Sequence, residues 1–192
     1  MILLSCTYMY RINKILLLSK SDLRVFHTRD LATLWQLDNA NTLYTTIKRY
    51  VQNKSIFRIQ KGLYSLVEPE KLDPVLVARK LINGHCYLSL EIILFEHGYK
   101  SQRPVEYTFV GAKPLKTSWN NLLVRCYQLN EKFLMNNAGT YVENGIRRAS
   151  VQRAICDALY FNKNRYFDKR VNWREIKMLQ KEIGYEITSR SK

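Results

Sequence analysis

The residues whose types and spacing suggest a defined chemistry lie in the first third of the chain. The pattern predicts a helix over residues 41–53, with an apolar sector around Leu43 and Ile47. The opposite face carries cations, amides and hydroxyls but no carboxylate. Cations suit phosphate groups, whereas amides and hydroxyls suit base edges, so this composition favours a helix that enters a duplex groove. The residues predicted to bind DNA from this helix are Asn41, Thr42, Thr45, Lys48, Arg49 and Gln52.

A predicted β-hairpin follows this helix. Two β-rich runs within residues 56–66 flank a Lys-Gly dipeptide, which has the composition of a tight turn. We expect Arg58, Gln60 and Lys61 to lie along the phosphates beside the groove. Residues 11–64 hold 10 basic and 3 acidic residues and therefore carry a net charge of +7, which favours an anionic partner.

Two further predicted helices precede this pair of elements. The apolar spacing predicts one helix over residues 9–19. A loop that includes Val25 and Phe26 comes next, and Thr28 is expected to cap a second helix. Helix, helix, turn, helix and hairpin is the order of a winged helix-turn-helix, which we assign to residues 1–70 as a DNA-binding domain.

The remaining residues, 71–192, have a mixed pattern. Helical and strand-like stretches alternate, which predicts a mixed α+β domain with a small antiparallel sheet. The predicted fold class is therefore α+β, with the winged domain first and an effector domain second. The predicted strands are 86–88, 105–110, 122–129 and 140–146, and the predicted helices are 74–82, 90–97, 150–161 and 172–183.

A second basic region lies late in the chain. Residues 147–181 hold 10 basic and 3 acidic residues, again a net charge of +7. Two interpretations stay open. The cations can form a solvated surface, or they can make a second anionic contact, either with DNA beside the hairpin or with an acidic face of a protein.

Motifs that would indicate catalysis or a cofactor are not found. The chain has no dinucleotide-binding, phosphate-loop or nucleophile-elbow motif. The residues His27, His85 and His97 lack zinc-site spacing. Asp157 lies one helical turn after Arg153, so we expect an ion pair rather than a catalytic carboxylate. We therefore predict no catalytic residue, no cofactor, no metal and no enzymatic activity.

The composition is that of an ordinary globular protein with a strong positive charge. The 192 residues are 46% hydrophobic and 24% charged, and the net charge is +15. No signal peptide or transmembrane stretch is evident, so we expect a cytoplasmic protein without membrane contact. The four cysteines are widely spaced, which predicts reduced and buried thiols rather than disulfides: Cys6, Cys86, Cys126 and Cys156.

Several local strings, taken in order, resemble the AbiEi family. This family comprises the antitoxins and transcriptional regulators of bacterial abortive-infection (type IV toxin–antitoxin) systems. The resemblance spans about residues 10–185 and contains no catalytic signature. The strings are Ile56–Tyr64 at the hairpin, Tyr87–Glu91 followed by Glu96–Tyr99, and Ala149–Asp157 before a late helix.

The resemblance implies a function in two parts. The winged domain would bind inverted repeats in the promoter of its own operon and repress it, a role that also allows a dimer on DNA. The second domain would act as an antitoxin against a nucleotidyltransferase toxin, and the two proteins need not form a stable complex. The partners so implied are double-stranded DNA and, through functional antagonism, that toxin.

Two alternatives from other classes remain. One is a protein-interaction module whose basic faces bind an acidic partner, and it predicts tight partner binding with negligible affinity for DNA. The other is a nucleic-acid-processing enzyme without a recognisable motif, such as a nuclease, and it predicts metal-dependent cleavage.

Overall fold

The computed structural model describes residues 14–21 and 23–191. The chain divides into two compact units, of which the first ends at Leu72 and the second begins at Asp73. Within the described ranges it is an α+β protein with eight α-helices and nine strands in two sheets. The unit boundary falls two residues after the predicted domain boundary at 70.

Unit 1 contains three helices and three short strands. They are α1 (Lys14–Lys20), β1 (Val25–His27), α2 (Thr28–Trp35), α3 (Ala40–Gln52), β2 (Phe57–Gln60) and β3 (Leu63–Ser65). The strands form an antiparallel sheet in the order β1-β3-β2, and a short 3-10 turn at Pro69–Lys71 follows. The early part of the helix predicted over 9–19 lies outside the described residues.

The expectation of a loop at Val25 and Phe26 is wrong, because both residues belong to β1. Their side chains are buried, and Val25 pairs with Ser65 in β3. A strand of three residues is too short for a pattern of alternation to reveal it. Its partner lies 40 residues later in the chain, so the strand depends on a long-range pairing.

The helix predicted over 41–53 is confirmed as α3, displaced by one residue. Its first turn is capped by Asn39, whose side-chain oxygen accepts a hydrogen bond from the Thr42 backbone amide at 3.0 Å. The inner face of α3 buries Leu43 and Ile47 in a core shared with α1, α2 and β1. The Trp35 indole joins this core and donates to the Lys14 carbonyl at 2.9 Å.

Unit 2 is built around a larger sheet. Its elements are α4 (Pro74–Leu81), β4 (Cys86–Leu88), α5 (Glu91–Glu96), β5 (Glu106–Gly111), β6 (Leu115–Trp119), β7 (Leu122–Gln128), α6 (Glu131–Leu134), β8 (Thr140–Glu143), β9 (Ile146–Ala149), α7 (Val151–Phe161) and α8 (Trp173–Ile183). The strand order is β6-β7-β5-β4-β9-β8. Several predicted starts are confirmed, including the caps at Asp73 and Ser150.

The prediction of a small antiparallel sheet in unit 2 is wrong in size and in strand direction. The sheet has six strands and is mixed, because β5 pairs in parallel with β7 and β4 pairs in parallel with β9. The physical reason is β6, which the sequence analysis missed. This strand reverses the chain between β5 and β7, so the latter two run in the same direction.

The single strand predicted over 140–146 is also wrong, because this stretch is part of a hairpin. The chain turns at Asn144 and Gly145, which have φ angles of +50° and +74°. β8 ends before this turn, and β9 begins after it and pairs back antiparallel. Asn-Gly is the strongest short hairpin signal, since both residues tolerate positive φ at low cost.

A buried ion pair joins the elements of unit 2. Arg153 and Asp157 on α7 are both 0% exposed, and the Arg153 Nε donates to the Asp157 Oδ1 at 3.1 Å. Hydroxyls also donate to this carboxylate, from Tyr87 at 3.0 Å, Ser89 at 2.7 Å and Tyr185 at 2.8 Å. The predicted pair is confirmed, but its burial was not foreseen.

The Arg153 guanidinium donates further hydrogen bonds in addition to the one to Asp157. It donates to the carbonyls of Ala138 at 2.8 Å and Phe133 at 3.0 Å, and to the Tyr87 hydroxyl at 2.9 Å. Burial, reinforced by the neighbouring Asp157 carboxylate, raises the pKa of Tyr87 well above its usual range, so this hydroxyl stays a donor. The arrangement connects α7 to β4, to α6 and to the loop before β8.

We expect Asp157→Asn to lower the free energy of unfolding by about 3–5 kcal/mol, because it leaves the buried Arg153 charge uncompensated. Urea denaturation would measure the loss. The control is Lys163→Gln, which breaks an exposed ion pair with Glu186 and should change stability little. Equal losses in the two variants would contradict a special role for the buried pair.

Candidate nucleic-acid interface

The outward face of α3 is open to solvent. The burial of Leu43 and Ile47 (6% and 3% exposed) turns the opposite side of the helix outward. All six residues predicted to bind DNA from this helix are exposed: Asn41, Thr42, Thr45, Lys48, Arg49 and Gln52.

The predicted hairpin is confirmed as β2 and β3, with its turn at Lys61-Gly62. The pairing shifts between Arg58 and Gln60, which indicates a β-bulge around Ile59. Ile59 is buried, whereas the three predicted phosphate contacts of the hairpin, Arg58, Gln60 and Lys61, are exposed.

Two hydrogen bonds attach the tip of this hairpin to the start of α2. The Thr28 backbone amide donates to the Gly62 carbonyl at 3.0 Å, and the Thr28 hydroxyl donates to the same oxygen at 3.4 Å. Gly62 has a φ of +80°, a conformation that side chains disfavour. The glycine therefore allows the turn that brings its carbonyl to Thr28.

A cleft of about 720 Å³ lies between α3 and the hairpin. Four predicted DNA contacts line it together, namely Lys48, Gln52, Arg58 and Lys61. The other predicted residues do not line the cleft. Asn41, Thr42, Thr45 and Arg49 lie elsewhere on α3, and Gln60 lies elsewhere on the hairpin.

The charge in the cleft is entirely positive. Its lining contains three cations, Lys48, Arg58 and Lys61, and no carboxylate. Within the described residues none of these three forms an ion pair. Cations that converge without counterions repel one another, so an anionic ligand would stabilise the arrangement.

Sequence reasoning missed one residue of this site, Tyr44. Its side chain is 58% exposed and lines the cleft beside Lys48. The signal was present in the helical spacing, since Tyr44 precedes Lys48 by four residues and follows Asn41 by three. Selection of residues by charge and hydrogen-bonding groups does not pick out an aromatic side chain.

The second basic region is mostly engaged in contacts within unit 2. Of its ten cations, Arg153 forms the buried ion pair with Asp157, and three others form further ion pairs. These are Arg148 with Glu96 and Glu143, Lys163 with Glu186, and Arg165 with Glu91. Arg147 and Lys169 donate to backbone carbonyls. Four cations have no such partner among the described residues: Arg170, Arg174, Lys177 and Lys181.

The potential metal ligands and the thiols of the described residues are dispersed or buried. Residues 14–21 and 23–191 contain no group of three or more His, Cys, Asp or Glu side chains that could hold a metal. Three cysteine thiols are free and buried. Burial raises the pKa of Cys86 to about 11 and that of Cys126 to about 12, so both stay protonated near neutral pH. Cys6 lies outside the described residues.

The longest described helix is α3, with 13 residues, and no helix of the described ranges is long and apolar enough to cross a bilayer.

Comparison with known proteins finds a similarity between the fold of this chain and that of a solved structure. No family model and no curated protein matches the chain. Among solved structures, the chain is similar to the RV2827C protein from Mycobacterium tuberculosis, with a TM-score of 0.52 and 13% identity. The match covers 87% of this chain and 69% of that one. At this identity the likeness concerns the fold alone, an α+β architecture shared over most of both chains.

We expect Gly62→Ala to destabilise unit 1 by roughly 1–2 kcal/mol, because alanine is strained at a φ of +80°. Thermal unfolding followed by circular dichroism would measure the loss. Lys61→Ala, one residue earlier at an ordinary φ, is the matched control and should unfold like the parent chain. An unchanged melting temperature for Gly62→Ala would contradict the role assigned to this turn.

Proposed function

We propose that this protein is a DNA-binding transcriptional regulator whose first unit is a winged helix-turn-helix. In this proposal α2 and α3 form the helix-turn-helix, α3 is the recognition helix, and the β2–β3 hairpin is the wing. The order of the elements and the sheet order β1-β3-β2 support it. The fold likeness reported above is compatible with it but does not address DNA.

The observation that carries the proposal is the unpaired positive charge shared by two elements. Lys48 comes from α3, Arg58 and Lys61 come from the hairpin, and all three line one cleft free of carboxylates. A duplex presents closely spaced phosphates, which match such a cluster better than a single small anion would. The cations would bind the backbone and so set the orientation of α3.

Base reading is assigned to the exposed residues of α3 that do not line the cleft. Asn41, Thr42, Thr45 and Arg49 are exposed and carry donors and acceptors suited to base edges. An α-helix with its side chains is about 10–12 Å across and the major groove is about 12 Å wide, so α3 can enter it.

The biological role proposed for this activity follows the AbiEi resemblance. By binding inverted repeats in its own promoter, unit 1 would repress a toxin–antitoxin operon, and unit 2 would counteract a nucleotidyltransferase toxin in the cytoplasm. The string Ala149–Asp157, which carries part of the resemblance, lies on β9 and α7 and supplies the buried Arg153–Asp157 pair. That string therefore has a stabilising role in this chain.

One observation favours a second candidate function for unit 2, that of a module for an acidic protein partner. Arg174, Lys177 and Lys181 are spaced along one side of α8 and lack carboxylate partners in the described residues. Binding of an acidic protein that is lost in a Lys177→Ala, Lys181→Ala variant, together with negligible DNA affinity of the parent chain, would favour this candidate.

We expect Lys61→Ala to weaken binding to promoter and scrambled duplexes equally, and to reduce the salt slope by about 0.9, because one phosphate contact is lost. Arg49→Ala should weaken promoter binding by roughly 1–3 kcal/mol and relax specificity. Fluorescence anisotropy across a salt series would measure both. Lys163→Ala, which removes a charge paired with Glu186, is the control.

The assignment would be rejected if binding showed no salt dependence or if Arg49→Ala bound promoter DNA like the parent chain. A gel of the same duplex with magnesium tests the nuclease alternative, which predicts cleavage.

We expect co-expression of this protein to restore growth to cells that express a nucleotidyltransferase encoded beside its own reading frame. The Arg49→Ala variant should restore growth equally, because the proposed antitoxin activity resides in unit 2. Colony counts under induced toxin would measure this. Continued toxicity at a verified level of the parent protein, or an adjacent frame that encodes no nucleotidyltransferase, would reject the antitoxin role.

A further inference from the structure

We propose that Tyr44 binds the DNA backbone, and that the cleft between α3 and the hairpin holds one sugar–phosphate strand of the duplex. The inference rests on the proposed function and deepens it. It divides the predicted DNA contacts into a set for the backbone and a set for the bases, and it adds a residue that the sequence analysis did not include.

The exposure of Tyr44 is the first observation. Its side chain is 58% exposed on α3, and its hydroxyl has no hydrogen-bond partner among the described residues. The other large rings that the structure describes in unit 1 are packed. Trp35 and Tyr64 are 5% and 7% exposed, and Tyr50 lies against Trp35 with ring centroids 5.6 Å apart. A solitary exposed ring with a polar tip has the form of an interface residue.

The composition of the cleft is the second observation. Val51, which is half-buried, supplies apolar surface in the same lining as the Tyr44 ring and the cations. A nucleic-acid strand alternates apolar sugar faces with anionic phosphates, so one strand satisfies both kinds of surface. An anion without apolar faces would leave the ring and the aliphatic groups exposed to water.

The position of Tyr44 in the cleft favours the backbone over the bases. Tyr44 lines the cleft on the hairpin side, as do Lys48 and Gln52, whereas Asn41 and Thr45 do not. Tyr44 and Lys48 are one turn apart, about 6 Å along the helix axis, so their side chains leave the same side of α3. The ring would pack on a deoxyribose while its hydroxyl donates to a phosphate next to Lys48.

If Tyr44 binds only the backbone, the loss of DNA affinity on its substitution should not depend on the DNA sequence. A residue that binds only sugar and phosphate contributes equally to every sequence, whereas a base-reading residue contributes to the promoter alone. Tyr44 should therefore change the affinity for DNA without changing the ratio between promoter and scrambled duplexes. Removal of the hydroxyl alone should remove only the phosphate hydrogen bond.

The experiment uses the full chain and its variants Tyr44→Ala and Tyr44→Phe. Binding is measured by fluorescence anisotropy on a 30-base-pair promoter duplex and on a scrambled duplex of the same composition. We expect Tyr44→Ala to lose roughly tenfold or more in affinity on both, and Tyr44→Phe to lose roughly three- to tenfold on both. Tyr166→Ala, which removes a tyrosine 72% exposed in unit 2, is the control and should bind like the parent chain.

A third duplex, the promoter synthesised with deoxyuridine in place of thymidine, separates backbone from base contacts because it lacks the thymine methyl groups. We expect the same fold loss for Tyr44→Ala on this duplex as on the other two. A loss confined to the promoter, or one that vanishes with deoxyuridine, would overturn the inference in favour of base reading.

Unchanged affinity of Tyr44→Ala on all duplexes, with a native circular dichroism melt, would also overturn the inference while leaving the proposed function intact. Failure of the parent chain to bind the promoter duplex in a salt-dependent way would instead reject the proposed function itself.

Discussion

The rotation of α3 about its own axis is the constraint on which the candidate interface depends. Leu43 and Ile47 enter the core of unit 1, and each residue of a helix advances the side-chain direction by about 100°. A rotation by one residue would bring a polar side chain into that core and would expose an apolar one. The hydrophobic contacts on one side of α3 therefore determine which side chains its other side presents, although they carry no information about a ligand.

The hairpin is held by contacts that are remote in sequence. β3 pairs with β1 as well as with β2, and Gly62 accepts hydrogen bonds from Thr28, which lies 34 residues earlier. Unit 2 also depends on contacts that are remote in sequence. The Asp157 carboxylate accepts hydrogen bonds from β4, from α7 and from Tyr185 after α8. In both units long-range pairs position the elements, whereas the longer helices are specified by local spacing.

This difference explains which features could be predicted from the sequence. The bounds of α3, the Lys61-Gly62 turn and the cap at Ser150 follow from local spacing and were found. β1 and β6 were missed because each is defined by a pairing partner elsewhere in its sheet, β3 for the former and β7 for the latter, and the parallel pairing of β5 with β7 depends on β6. At the candidate site, charge pointed to Lys48, Arg58 and Lys61, but their shared cleft is a tertiary feature and Tyr44 has no charge to reveal it.

The attachment of the hairpin tip to α2 has a thermodynamic consequence. Because Gly62 is already bonded to Thr28, the backbone order of the tip is established when unit 1 folds and does not have to be acquired at an encounter with another molecule. A pre-organised surface of this kind loses little conformational entropy when it associates. A change in the shape of the tip would require these hydrogen bonds to break, so adjustment of fit would fall mainly on the more deformable of the two molecules.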